Sequence, residues 1–98
     1  MNLSQFTRTN AVEFNTNREF TRAVLTFNDG SHIRFEHSSR QNRWAQASSD
    51  GTTSERVCLA ISQFRLNAKH LQLFFEDGTD VEFTPSAEDG NGTTLGKA

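Results

Sequence analysis

Tyrosine is absent from this chain, and cysteine, proline, methionine and tryptophan occur once each. A lone cysteine, Cys58, cannot close an internal disulfide, so a disulfide-stapled scaffold is excluded. Its neighbours Val57 and Leu59 are apolar, and it reads as a small hydrophobic residue rather than a reactive thiol. Without tyrosine the chain lacks one common acid–base group and one common interface anchor. No apolar run approaches the roughly 18–20 residues that span a bilayer. The start, MNLSQFTRTN, has neither the basic opening nor the apolar stretch of a secretory signal. A soluble, cytoplasmic protein is the expectation.

What is present is phenylalanine: nine residues in a chain of 98, although only 34% of the chain is hydrophobic. A domain of this size must fill its core economically, and Phe carries a large apolar area per side chain. The low apolar fraction implies that part of the chain stays outside the core. The segment after Pro85, SAEDGNGTTLGKA, is polar, glycine-containing and without a periodic apolar face. The expected organisation is one domain over residues 1–85 and a mobile polar tail over 86–98.

An internal repeat dominates the pattern. Residues 25–35 read LTFNDGSHIRF and residues 73–83 read LFFEDGTDVEF, 48 positions later. Each copy reads as strand, turn, strand. A two-residue Asp-Gly turn would set Phe27 opposite His32 and Leu25 opposite Arg34, mixing apolar and charged groups on one face. A three-residue loop, Asn28-Asp29-Gly30, instead pairs Phe27 with Ser31, Leu25 with Ile33 and Ala23 with Phe35. The same rule in the second copy pairs Phe75 with Thr79, Leu73 with Val81 and Leu71 with Phe83. This is a type I turn closed by a left-handed glycine, which gives Gly30 and Gly78 a backbone role.

Elsewhere the reading is coarser. Ala11–Phe14 suggests a short strand, Asn15-Thr16-Asn17 a turn, and residues 42–48 a strand carrying Trp44. Asp50-Gly51 marks a turn. Thr52 followed by Glu55 has the spacing of a capping box. Val57, Ala60, Ile61 and Phe64 then share one helical arc, which predicts a helix over about 53–65. Val57, Leu59 and Ile61 also alternate as a strand would. The expected fold is α+β: an antiparallel sheet of two related hairpins, about 20–37 and 69–84, with one helix packed on it. The alternative is a small all-β barrel or sandwich.

Chemistry is sparse. His32 and His37 fall on opposite faces of the first hairpin, and His70 has no grouped ligands, so no metal site or cofactor is expected. Among the serines none lies in a nucleophile elbow, and Glu76-Asp77 and Glu88-Asp89 are neighbours in sequence rather than carboxylates across a cleft. The expectation is a non-enzymatic binding or regulatory protein without a small-molecule substrate.

Charge is distributed unevenly. Residues 1–75 hold nine bases and six acids, a balance of +3, whereas residues 76–98 hold one base and six acids, −5. The outward face of the first hairpin carries Arg22, His32, Arg34 and Glu36, and that of the second Asp80 and Glu82. Phe74 breaks the parity of its hairpin by facing away from Leu73 and Phe75. Phe74, Asp80 and Glu82 are therefore the candidate contacts for a protein partner or a second copy of the chain. A nucleic-acid-binding reading rests on Arg34, Arg40, Arg43 and Trp44, where arginines would meet phosphates and the indole would stack on an unpaired base.

Overall fold

The computed structural model describes residues 2–67 and 70–85. The tail expected over 86–98 lies outside the described residues. Among the described residues two helices and seven strands follow in the order α1 (Leu3–Asn10), β1 (Ala11–Thr16), β2 (Arg22–Phe27), β3 (His32–Ser38), β4 (Arg43–Asp50), α2 (Thr52–Ala60), β5 (Ile61–Leu66), β6 (Leu71–Phe75) and β7 (Asp80–Phe83). The fold is α+β, as the sequence pattern indicates. The strands form two antiparallel sheets, β1-β2-β3-β4 and β5-β6-β7, so the two hairpins sit in separate sheets rather than in one.

Both hairpins adopt the register that burial parity demands. Leu25 faces Ile33 and Ala23 faces Phe35, while Leu73 faces Val81 and Leu71 faces Phe83. The loop closes through Phe27 N–H to Ser31 O and Gly30 N–H to Phe27 O, with the matching bonds at Phe75, Thr79 and Gly78. Gly30 and Gly78 have φ of 87° and 89°, a region where a Cβ crowds the following carbonyl. The inward residues of both hairpins, together with Phe14 and Val57, form one buried cluster. Across it, the Phe35 and Phe64 rings lie 4.9 Å apart at a 54° tilt, within the favoured range for an aromatic pair.

The expected helix over 53–65 needs correction. It ends at Ala60, and residues 61–66 form β5, hydrogen-bonded to β6. The competing strand alternation wins there because the edge of β6 takes a backbone partner and places Phe64 against Phe35. The capping box also fails. Thr52 is the first helical residue, and the N-cap is Gly51, which has no side chain to offer. The turn placed at residues 15–17 begins only at Asn17. The Asn17 carboxamide oxygen accepts from the backbone N–H groups of Thr21 and Arg22, organising the loop into β2. Helix α1 was not anticipated: its segment LSQFTRTN is polar, and its cap is Asn2, whose side chain accepts from Gln5 N–H at 2.8 Å.

These corrections enlarge the repeat from a hairpin to a unit. The order helix, strand, strand, strand occurs as α1-β1-β2-β3 and again as α2-β5-β6-β7, with β4 as an addition to the first copy. Each first strand has its register shift at the same place, between Ala11 and Glu13 and between Ile61 and Gln63. Each hairpin turn donates to the carbonyl that ends its own helix, Asn28 N–H to Asn10 O and Glu76 N–H to Ala60 O.

The two units also cap each other. The carboxylate of Asp29 accepts from Ser31 N–H and hydroxyl through Oδ1, and from Thr53 N–H and hydroxyl through Oδ2. Asp77 repeats this with Thr79 through Oδ1 and with Leu3 N–H through Oδ2. One oxygen closes the hairpin turn, and the other accepts from the opposite unit's helix start: for α2 it supplies the side-chain acceptor that Gly51 lacks, and for α1 it adds to the Asn2 cap. These hydrogen bonds favour the ionised form. Those from Ser31 and then Thr53 hold Asp29 far below the usual carboxylate range, and those from Thr79 lower Asp77.

Candidate protein-binding surfaces

The residues proposed from sequence fall on two separate faces. Phe74, Asp80 and Glu82 lie together on the outer face of β6 and β7, where Phe74 pairs with Asp80 and Gln72 with Glu82. Phe74 is half-buried under Arg65, whose guanidinium carbon stands 5.7 Å from the ring centroid. Asp80 accepts from the Gln72 side chain at 3.1 Å, and Glu82 lies 3.2 Å from His70 Nε2. Each group in the acidic patch is therefore already engaged by a neighbour in the same sheet or just before it.

Arg34, Arg40, Arg43 and Trp44 are less well assembled. Arg34 stands on the outer face of β3 and donates to the Ser48 hydroxyl. Arg40 is exposed in the β3–β4 turn, and Arg43 opens β4. Trp44 points to the inner side, paired with His37. Its ring packs edge-on against Phe20 at 5.0 Å and His37 at 5.4 Å. The indole is thus held in a small aromatic cluster on the opposite face from Arg34, and does not join the arginines in one stacking platform.

Cys58 is half-buried, and its sulfur accepts from the Gln46 amide at 2.8 Å. Burial pushes its thiol pKa up. Among the described residues no three His, Cys, Asp or Glu converge as metal ligands, and no helix is long and apolar enough to cross a membrane.

Sequence reasoning missed one open, largely apolar feature. Between α1 and α2 lies a groove of about 600 Å³, lined by Leu3 and Phe6 on one side and Leu59 and Ala60 on the other, with Glu76 and Asp77 at one end. Arg56 closes its floor, its guanidinium carbon 5.7 Å from the Phe6 centroid. Leu59 is 83% exposed. The pseudo-repeat supplies a control for this groove within the same molecule. The positions equivalent to Leu3, Leu59 and Ala60 are Thr53, Thr9 and Asn10, all polar. Where the geometry is duplicated but no apolar contact is offered, the chain carries hydroxyls and amides; at this one end it carries leucines. The available signal was the off-stripe position of Leu59, legible only once α1 is recognised as a helix.

Compared with family models, curated proteins and solved structures, the chain matches none of them.

Proposed function

We propose that this is a non-enzymatic binding protein that works through protein–protein contacts, with the groove between α1 and α2 as its principal contact surface. The observation that carries this reading is Leu59, 83% exposed in an apolar groove, where the pseudo-equivalent position holds the polar Thr9. Exposed apolar surface rimmed by charge favours a protein contact. The partner it fits is a protein segment presenting one large apolar side chain with a basic neighbour. The apolar group would lie over Leu3, Phe6 and Leu59, and the basic group would meet the exposed Glu76.

The test is capture of partners from the native host with the wild-type chain and with Leu59→Asp. The substitution touches an exposed position, so the fold and melting temperature should be retained within about 0.5 kcal/mol. Partners held by wild type should be lost by the variant, because a carboxylate in the contact would be buried unpaired. Equal capture by both chains would refute the assignment of the groove.

A further inference from the structure

We propose that the free edge of β4 pairs with the same edge of a second copy of this chain, antiparallel and about a two-fold axis, so that Arg43 of each copy faces Asp50 of the other. The inference takes a second copy as one protein partner and is independent of the groove.

Strand β4 ends the four-stranded sheet, and no strand among the described residues pairs with its outer side. It is the longest strand among the described residues, eight residues, and between Arg43 and Asp50 it runs Trp44 to Ser49 without a charge or a proline. Edges left open are normally blunted by charge, shortness, proline or a distorted ladder; β4 has a bulge at Ala47 but none of the other three along its middle. The other edges follow that practice. β7 has four residues and carries Asp80 and Glu82, β5 carries Arg65, and β1 carries Glu13. Charge on β4 stands only at its two ends, with opposite signs.

Parity supports the pairing. A two-fold axis perpendicular to a sheet keeps each side chain on its own face, so residues opposed across the new interface must share a face. Positions seven apart on a regular strand, such as 43 and 50, point to opposite faces and could not meet. β4 is not regular: Arg34 pairs with Ser48 but Phe35 with Gln46, leaving Ala47 as an extra residue. Arg43, Ala45, Ser48 and Asp50 consequently share the outer face, and Trp44, Gln46 and Ser49 the inner one. Centred between Gln46 and Ala47, the pairing opposes Arg43 with Asp50, Trp44 with Ser49 and Ala45 with Ser48, each pair on one face. Both charged side chains are available: Arg43 is exposed, and Asp50 is 78% exposed, with His32 Nε2 lying 3.8 Å from its carboxylate.

The test is sedimentation equilibrium of the full chain from low micromolar to millimolar concentration. An edge contact is small against the roughly 1,600 Å² of a standard interface, so the mass should rise from 11.0 kDa towards twice that value only at the upper end. Arg43→Asp and Asp50→Arg should each weaken association roughly tenfold, because every dimer then holds two like-charge contacts. The double variant Arg43→Asp with Asp50→Arg should restore it. A strict monomer at millimolar concentration would overturn the proposal. So would a dimer indifferent to the single reversals, or one that the double variant fails to restore. A dimer abolished by Leu59→Asp instead would assign the self-contact to the groove and overturn the β4 interface, while host-protein capture at the groove is read separately.

Discussion

Substituting Gly51 with alanine should be among the most damaging changes the backbone can suffer, and its magnitude follows from two observations. Gly51 joins β4 to α2 with φ 99° and ψ 168°, a region essentially reserved for glycine and costing of order 1–3 kcal/mol for other residues. A Cβ there would lie 2.3 Å from Ser31 Cβ and 2.9 Å from Ser31 Cα, against an optimum of about 3.5–4.0 Å for carbon pairs. One of the two atoms is backbone, so no rotamer change relieves the clash. Ser31 would have to move, and its hydroxyl is the bridge between Asp29 at 2.6 Å and Ser54 N–H at 3.0 Å. Overpacking of this kind costs roughly 1–3 kcal/mol more. Together the loss is about 2–6 kcal/mol, a large share of the roughly 5–15 kcal/mol that holds a small domain. Gly30→Ala supplies the control: φ is 87°, but the added Cβ meets nothing within 4 Å, so only about 1–2 kcal/mol of backbone cost applies. Urea denaturation of wild type and both variants measures the difference. If Gly51→Ala proves no more damaging than Gly30→Ala, the close packing of the β4–α2 junction on Ser31 is not what holds it.

Acid should weaken the fold through its two turn carboxylates. Both are shifted down in the folded chain, so their stabilisation is present above the unfolded value of about 4 and is lost as pH falls below it. Asp29→Asn with Asp77→Asn should lower stability at neutral pH and flatten the decline below about pH 4, as followed by thermal melts across pH. Cys58, with its thiol pKa raised by burial, should react with a disulfide reagent more slowly in the folded chain than in denaturant. Equal rates would place its sulfur in open solvent.

The fold was legible where two constraints agreed. In the hairpins, Asp-Gly located the turn and burial parity chose the three-residue loop over the two-residue one, and Leu25, Ile33, Leu73 and Val81 are all buried accordingly. Around α2 the local signals conflicted. The arc through Val57, Ile61 and Phe64 overran the helix because periodicity cannot register that β6 needed a neighbour. Helix α1 was invisible because its stability is tertiary: Thr7 is fully buried in a segment with only Leu3 and Phe6 to mark an apolar face. Phe74, Asp80 and Glu82 share one face as the parity implies, whereas Trp44 lies on the opposite face from Arg34, and the internal pairing of Asp80, Glu82 and Phe74 depends on long side chains that spacing alone does not position. The groove needed both helices to be seen at all.

Reciprocal capping makes the two repeats conditional on one another. A fragment holding α1 to β3, made by itself, would expose half of a shared core. It would also carry an aspartate with no helix to cap and a helix with no aspartate to cap it. Such a half is competent only in company, either of the other half supplied in trans or of its own twin. The intact chain should accordingly melt in a single transition, with loss of either turn carboxylate felt in the helix of the opposite repeat.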